Sequence, residues 1–488
     1  MLPAQLLRPL RLRPSPVVAW VGAAAAAGGA LAALAPPQLA IAGAVALAVV
    51  LAVALHPPAG AYLLLAATPL LAGLDRGLVL PVLRPHEALA LLIAAGLVGH
   101  VALRAAARAP ARLHLQFGRV DAAILLLAVT GSILPLVDMA FRDRAIVLDD
   151  VFYALTVWKY YGVFLIIRTS ITTQAQVRRC LWVALGAGAV VALVGLAQVL
   201  GAPGIGSITR HYDPESVNSP QLERGTSTLA SSIAVGDVMV FSLAIAAGML
   251  LGGDRRQLRL AGLALLFVFG TVATGQFSAL IALVVGVLAF GWLTGVLSRA
   301  ILALTPVAGV AALLLRPVIE ARLRGFHGGR TLPQSWQVRL DNVTTHFWPV
   351  LQTDVNWLTG VRPLARIDGP RFSGIQYIWI ESGYVWLLWT GGIAFAAAFL
   401  WYAWVALRTV ARIARERTDA VGIAATASFT ALVVTVVLMT LDPHVTLRGS
   451  ADLSFALLAL ATTGASASAA VAGASEAGQR PDAGGQAL

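Results

Sequence analysis

Charge is scarce in this chain. Only 12% of its 488 residues are Asp, Glu, Lys or Arg, against 58% apolar, and the mean hydropathy is +0.81. A soluble globule needs far more polar residues to cover its surface, so the composition excludes one. Cysteine is nearly absent: Cys180 stands alone, which excludes an intramolecular disulfide and any cysteine metal cluster. Lysine is equally rare. Lys159 is the only one, and every other basic residue is arginine, giving a formal net charge of +12. A GC-rich codon usage, which favours Arg, Ala and Gly, would produce such a bias without any function behind it. The sequence also shows no soluble catalytic domain, no phosphate-binding glycine loop and no convincing internal repeat. No cleavable signal peptide is expected, because the first apolar run, from about Pro16, is long enough to span a membrane and more of the same follows.

What is present is hydrocarbon in long runs. A bilayer core of ~30 Å needs roughly 20 apolar residues per helix. Runs that meet or approach this begin near Pro16, Gln38, Ala59, Glu87, Asp121, Val151, Cys180, Thr226, Leu258, Ser278, Ala300, Glu381, Asp419 and Ala451. The expected fold is an all-α polytopic membrane protein of about fourteen transmembrane helices (twelve to fourteen) with one long external loop. The run from Ala59 is short, suited to a re-entrant or tilted segment. The expected divisions are a bundle of about eleven helices over 1–315, the loop over 316–380, further transmembrane helices over 381–463, and a disordered cytoplasmic tail over 464–488, rich in Ala, Gly and Ser.

Arginine placement orients the bundle. With the N-terminus inside, the short inside loops hold eighteen arginines, from Arg8 to Arg417, and the short outside loops hold seven: Arg76, Arg84, Arg142, Arg144, Arg210, Arg224 and Arg448. Excess arginine marks the cytoplasmic side, so both termini are expected there. The basic stretch from Arg104 to Arg119 is then a cytoplasmic loop suited to anionic lipid headgroups. The long outside loop breaks the trend. It carries eight arginines (316, 322, 324, 330, 339, 362, 366 and 371) against four acids, Glu320, Asp341, Asp354 and Asp368. Trp336, Trp348, Trp357 and Trp379 interleave with them. Long loops cross regardless of charge, and tryptophan favours membrane interfaces, so tolerated charge competes with function here.

Several residues could carry chemistry. Arg224, in RGTSTLASS, sits where a helix is expected to begin, and helix N-terminal amides with a guanidinium and hydroxyls suit a phosphate. A snorkelling interfacial arginine is the competing use. Arg339, in SWQVRLDNVTTHFWP, could bind phosphate oxygens bidentately, or simply pair with Asp341. Glu381, between Trp379 and Tyr384 at a helix mouth, could accept a proton from a sugar hydroxyl, or complement a helix dipole. His346, His327 and His211 are outside histidines, none with a partner at metal-ligand spacing. Lys159 is expected to snorkel or to pair with Asp149 or Asp150, and Asp237 needs a partner within the bundle. Asp75, Arg76, Arg84 and Glu87 form a cluster read as structural pairing.

Four short patterns in order complete an outline: RGTSTLASS at Arg224; the small-residue turn ATGQFSAL from Ala273 to Leu280; Arg339 to Trp348 followed by the turn Trp357-Leu358-Thr359-Gly360; and ESGYVWLLWTGGI from Glu381. Over roughly 201–393 the chain resembles the O-antigen ligase and O-antigen polymerase (Wzy-type) superfamily, polytopic membrane glycosyltransferases related to the GT-C architecture. It departs twice. Many members carry arginine in the small-residue turn, where this chain has Gln276 and Phe277, and ligases carry histidine at the loop end, where it has Glu381. The second departure favours a polymerase. The resemblance implies joining of undecaprenyl-diphosphate-linked oligosaccharide repeat units at the outer face of the bacterial cytoplasmic membrane. It implies no cofactor, metal or nucleic acid. Membrane lipids, a flippase and a chain-length regulator are the implied partners. Ligase-like transfer to another acceptor, or a lipid-linked oligosaccharide flippase, are the alternatives. The expected catalytic residues are Glu381 and Arg339, with Arg224, Arg362, Arg366, His346 and Tyr384 binding diphosphate or glycan.

Overall fold

The computed structural model describes residues 37–77, 82–108, 117–212, 224–323, 334–372 and 375–463. The expected span from Pro16, His327 and the tail over 464–488 lie outside the described residues. The described residues fall into two compact units: those within 37–60 and 91–108, and those within 61–90 and 117–463. In the first, α1 (Pro37–Leu55) receives Gly96 closely, since a Cβ there would meet Val53 and the Val50 carbonyl. His100 Nδ1 lies 2.8 Å from the Ala54 carbonyl.

The protein is a polytopic, membrane-embedded helical protein. Among the described residues, nine helices are long and apolar enough to cross a bilayer, and four apolar helices are shorter. After α2 (Pro58–Leu71) the long ones are α3 (Pro85–Ala106), α4 (Arg119–Phe141), the pair α5 (Leu148–Ala154) and α6 (Thr156–Ser170), α7 (Gln174–Val199), α8 (Ser232–Leu251), α10 (Phe277–Thr294), α11 (Leu297–Leu314), α14 (Gly383–Glu416) and α15 (Ala420–Leu438). Short α9 (Gln257–Ala273) and α16 (Ser450–Thr463) interleave with them, and α2 is as short as its sequence suggests. Both α8 and α15 are buried over 78% of their spans and form the centre of the second unit, whereas α11 is buried over 6% and presents its apolar side chains outward. Helices apolar all round are what a bilayer permits at every face.

Loops collect on two sides of this unit. On one, Arg178 reaches Asp254 and Gln174 reaches Asp419, tying the connections after α6, α8 and α14. The other, here the loop face, carries the segment between α11 and α14. That segment is expected as a loop but is folded. It contains α12 (Arg316–Leu323), α13 (Gln334–Asn342), a π-helical turn over Val343–Phe347, and an antiparallel hairpin of β1 (Arg366–Phe372) and β2 (Ile375–Trp379). The hairpin is a small addition to a fold that is otherwise helical, as expected. Strands pair here because the isolated hairpin lies outside the apolar runs, where backbone groups need not be satisfied by a helix.

The segment is pinned by backbone contact. Helix α14 has 34 residues, about 51 Å if straight against a core of ~30 Å, and it breaks at Gly391 and Gly392. Gly392 takes φ 65° and Gly360 takes φ 94°. A Cβ on Gly392 would strike the Leu358 carbonyl, and one on Gly360 the Thr390 carbonyl. Val361 N–H donates to the Trp389 carbonyl at 2.6 Å. Thus the two glycine turns of the sequence lock into one another. Arg142 and Arg144, at the end of α4, add side-chain clamps: Arg142 donates to the Asp354 carbonyl, Asn356 and Thr359, and Arg144 to Asn356 and the Val361 carbonyl.

Gly392→Ala is expected to cost about 1–3 kcal/mol from the left-handed backbone alone, with the Leu358 collision added. Thermal unfolding of the detergent-solubilised protein measures this, and Gly309→Ala, where a Cβ meets nothing within 4 Å, provides the control.

Candidate functional site

A third glycine builds the site. Gly383 opens α14 against the end of α15, where a Cβ would meet the Met439 side chain and carbonyl, and Tyr384 N–H donates to that carbonyl at 3.2 Å. The close approach brings Glu381, just ahead of α14, to the turn Leu441-Asp442-Pro443-His444 that follows α15. Ile380, buried and bonded through its N–H to the Ala365 carbonyl, fixes the backbone beside Glu381. Arg339 arrives from α13. Its Nη1 donates to Asp442 Oδ2 at 2.7 Å, and its Nε lies 3.6 Å from Glu381 Oε1. Phe347 and Leu351, both buried, hold this part of the segment down, with Phe347 edge-on to Trp389 at 5.2 Å.

One arginine therefore serves two carboxylates. The pairing with Asp341 that the sequence allows is not the one adopted, because Asp442 is buried and needs a cation more than an exposed acid does. Burial raises the Glu381 carboxyl above its usual range, with Arg339 opposing and Asp442 adding to the rise. Burial likewise raises Asp442, despite its short contact with Arg339. Glu381 keeps 35% of its side-chain surface exposed and Asp442 only 7%, so Glu381 is the acid a ligand could reach.

Beneath them lies a pair missed by the sequence reading. His444 Nδ1 is 2.8 Å from Asp237 Oδ2, with both side chains almost fully buried. A carboxylate only accepts, so Nδ1 carries the proton. Asp237 thereby gains the partner it lacked. The signal for this was the Asp-Pro-His triplet between the last two apolar runs, which parity puts on the same side as the long loop. Its brevity hid it.

The remaining expected residues are placed as follows. Arg362 forms a two-pronged bond to the fully buried Asp150, at 3.0 and 2.6 Å, and the Leu364 N–H joins it. Arg366 lies 4.0 Å from Asp149 and over the Tyr377 ring. Tyr384 donates its hydroxyl to the Val436 carbonyl. His346 is half-buried on the π-helical turn, and His211 contacts the Ser207 carbonyl. Lys159 pairs with Asp452 at 3.6 Å, not with Asp149 or Asp150, because Asp150 is occupied by Arg362. The expected helix start at Arg224 is also corrected. Helix α8 begins at Ser232, after a 3-10 turn over Ser227–Leu229 whose first residue, Ser227, is left-handed, as is Ala230 that follows it. Gln198 takes the amides of Thr226 and Ser227, while the Ser227 and Thr228 hydroxyls go to the Val191 and Pro69 carbonyls. The hydroxyls beside Arg224 thus hold the fold.

The hairpin adds an aromatic surface: exposed Trp379 contacts Tyr377 at 5.6 Å and Tyr153 at 5.8 Å between ring centres. Among the described residues no group of three or more His, Cys, Asp or Glu is arranged to hold a metal ion. Compared with protein-family models, curated proteins and solved structures, the chain matches none. Chemically, the arrangement offers a reachable carboxylate of raised proton affinity, oriented by an arginine that a second, buried carboxylate holds in place.

Asp237→Ala should leave the His444 N–H without an acceptor in a dry site, costing roughly 1–3 kcal/mol, and adding His444→Phe should recover part of that loss. Thermal unfolding of the single and double variants tests this, and simple additivity would show that the two do not interact.

Proposed function

We propose that this chain is a membrane glycosyltransferase of the polysaccharide-polymerase type, on a GT-C-like scaffold, joining polyprenyl-diphosphate-linked oligosaccharide repeat units. The observation that carries the reading is Glu381: a half-buried carboxylate, raised by burial, beside Arg339 and open to the loop face. A base for a sugar hydroxyl works best when its proton affinity is lifted toward neutrality. The exposed ring of Trp379 on the hairpin, with half-buried Tyr377 and Tyr153 beside it, supplies a face on which a sugar stacks. The arginine asymmetry of the short loops supports a loop face on the outer side of the bacterial cytoplasmic membrane and termini on the inner side.

In the reaction the acceptor hydroxyl attacks the anomeric carbon of the donor sugar, and its proton passes to Glu381. The bond from that carbon to the diphosphate oxygen breaks, and the lipid diphosphate leaves with the electron pair. Arg339 orients Glu381. Arg224 and Arg366, with Arg339, are the cations for the charge that develops on the leaving group. His346 is assigned to the glycan. Arg362 and Tyr384 act on the site through the walls they brace, at Asp150 and Val436.

Ligase-like transfer to a different acceptor uses the same steps, and Glu381 in place of the ligase histidine favours polymerisation. A flippase for the same lipid-linked glycan is the second reading. It is favoured by acid–base pairs reaching into the spans, Asp237 with His444 and Lys159 with Asp452, since ionisable groups in membranes mark translocation paths as well as catalytic sites.

Glu381→Gln should lower polymer formation ~10²–10⁴-fold while single capped units still reach the cell surface. Units retained inside would instead indicate the flippase, and normal polymer would remove the assignment. Polymer formation should also fall as pH drops through the raised Glu381 pKa. Arg339→Gln removes the pull that opposes burial and should move this acid limb to higher pH. Asp442→Asn removes a repelling charge and should move it lower. Polymer yield against pH, measured in membranes, checks both signs.

A further inference from the structure

A second charged cluster lies apart from Glu381, at the start of α3. Asp75 Oδ1 accepts from Arg448 Nη1 at 2.9 Å and lies 3.8 Å from Arg84 Nε. Glu87 Oε1 lies 3.4 Å from Arg84 Nη1 and 3.6 Å from Arg76 Nη2. The order is Arg448, Asp75, Arg84, Glu87, Arg76: three guanidiniums strung on two carboxylates, with one positive charge in excess. The backbone builds it. Pro85 starts α3, Glu87 accepts the Arg84 N–H in its first turn, and left-handed Gly449 lets the Arg448 turn seat against Leu229. The Phe152 ring lies 3.9 Å from the Arg76 guanidinium and fixes its plane.

The acids do not satisfy this cluster. Burial first, then Arg448 and Arg76, push Arg84 below the usual guanidinium range, and these exceed the opposing effect of Glu87 and Asp75. The Nε atoms of Arg76 and Arg84 are buried with no hydrogen-bond partner among the described residues. His86, only 2% exposed, lies within electrostatic reach of Arg84, Glu87, Lys159 and Asp452, and neither of its ring nitrogens has a partner there. A neutral imidazole always holds one N–H, so His86 is a buried donor without an acceptor. Beneath, Lys159 and Asp452 cancel one another. Arg448 keeps 37% of its side chain exposed, which leaves the cluster an entrance.

We infer that Arg76, Arg84, Arg448 and His86 form a binding site for a phosphate group at the membrane interface. Guanidinium forks match phosphate oxygens, an anion relieves the repulsion centred on Arg84, and it accepts from donors the protein leaves idle. The phosphate could belong to an anionic phospholipid headgroup or to a diphosphate. The site does not rest on the glycosyl-transfer reading, because a folded chain that transfers nothing would still bind.

The full chain in neutral detergent separates these sources. One arm follows the melting temperature during titration with sodium pyrophosphate against sodium chloride of equal ionic strength. The other measures retention of phosphatidylglycerol against phosphatidylcholine by native mass spectrometry. A response in either arm is expected, with roughly tenfold weaker apparent affinity in Arg448→Gln. Pyrophosphate alone identifies a diphosphate ligand, phosphatidylglycerol alone a lipid headgroup, and both together a site for phosphate in general. Arg84→Gln should do the same if it folds. The partly exposed Arg448 keeps the test open if it does not. No response above the controls in either arm, or equal responses in wild type and Arg448→Gln, would overturn the site.

Discussion

The locking of Gly360 into the break of α14 is the contact on which the loop face depends. It is backbone against backbone, with carbonyls of Leu358 and Thr390 where side chains would otherwise stand. An apolar helix of 34 residues would otherwise run through, and the polar segment before it would hang from one end. The break lets the segment return to the helix and share a hydrogen bond from Val361 to Trp389. Three further contacts then seat the segment on this support: Phe347 against Trp389, Arg339 on Asp442, and Arg362 on Asp150.

A bilayer makes such a design understandable. Within hydrocarbon every backbone group must be satisfied internally, so irregular structure is confined to helix ends and to places sheltered by protein. Here the irregular elements gather at one face, and small residues do most of the joining. Gly383 admits Met439, Gly391 admits the Thr130 carbonyl, and Gly73 donates to the Thr228 carbonyl. Close approach through glycine substitutes for the hydrophobic drive that is missing between helices in lipid.

Much of this was legible from residue order. Among the described residues, apolar runs located most helix starts to within three residues, while those from Cys180 and Thr226 missed the starts at Gln174 and Ser232 by six. Both glycine turns, at Gly360 and at Gly391–Gly392, stood out locally, although nothing in the sequence said that they meet. Glu381 was visible as an acid at a helix mouth, and Arg339 separately as an arginine of the long loop. Their meeting depends on Asp442, which contributes a single carboxylate to a connection too short to attract notice. The Arg224 segment misled for a physical reason: a run of Thr and Ser before an apolar stretch resembles a helix cap, yet the left-handed Ser227 and Ala230 delay the helix to Ser232. Ion-pair choice was equally illegible, because Lys159 and Arg362 compete for acids far apart in sequence, and only burial of Asp150 decides between them.

The pairing of arginines with carboxylates changes what the net charge means. Arg142 faces Asp138, Arg362 faces Asp150, Arg366 faces Asp149 and Arg339 lies between Asp442 and Glu381. Each pair is a dipole whose field decays within a few ångströms, whereas unpaired charges would project a potential over a Debye length of about 8 Å in physiological salt. Among the described residues, these four arginines therefore add little to the far field, whatever the formal charge of +12 suggests. What long-range field this face has is therefore set by the arginines outside these pairs, and not by the ones its acids already hold.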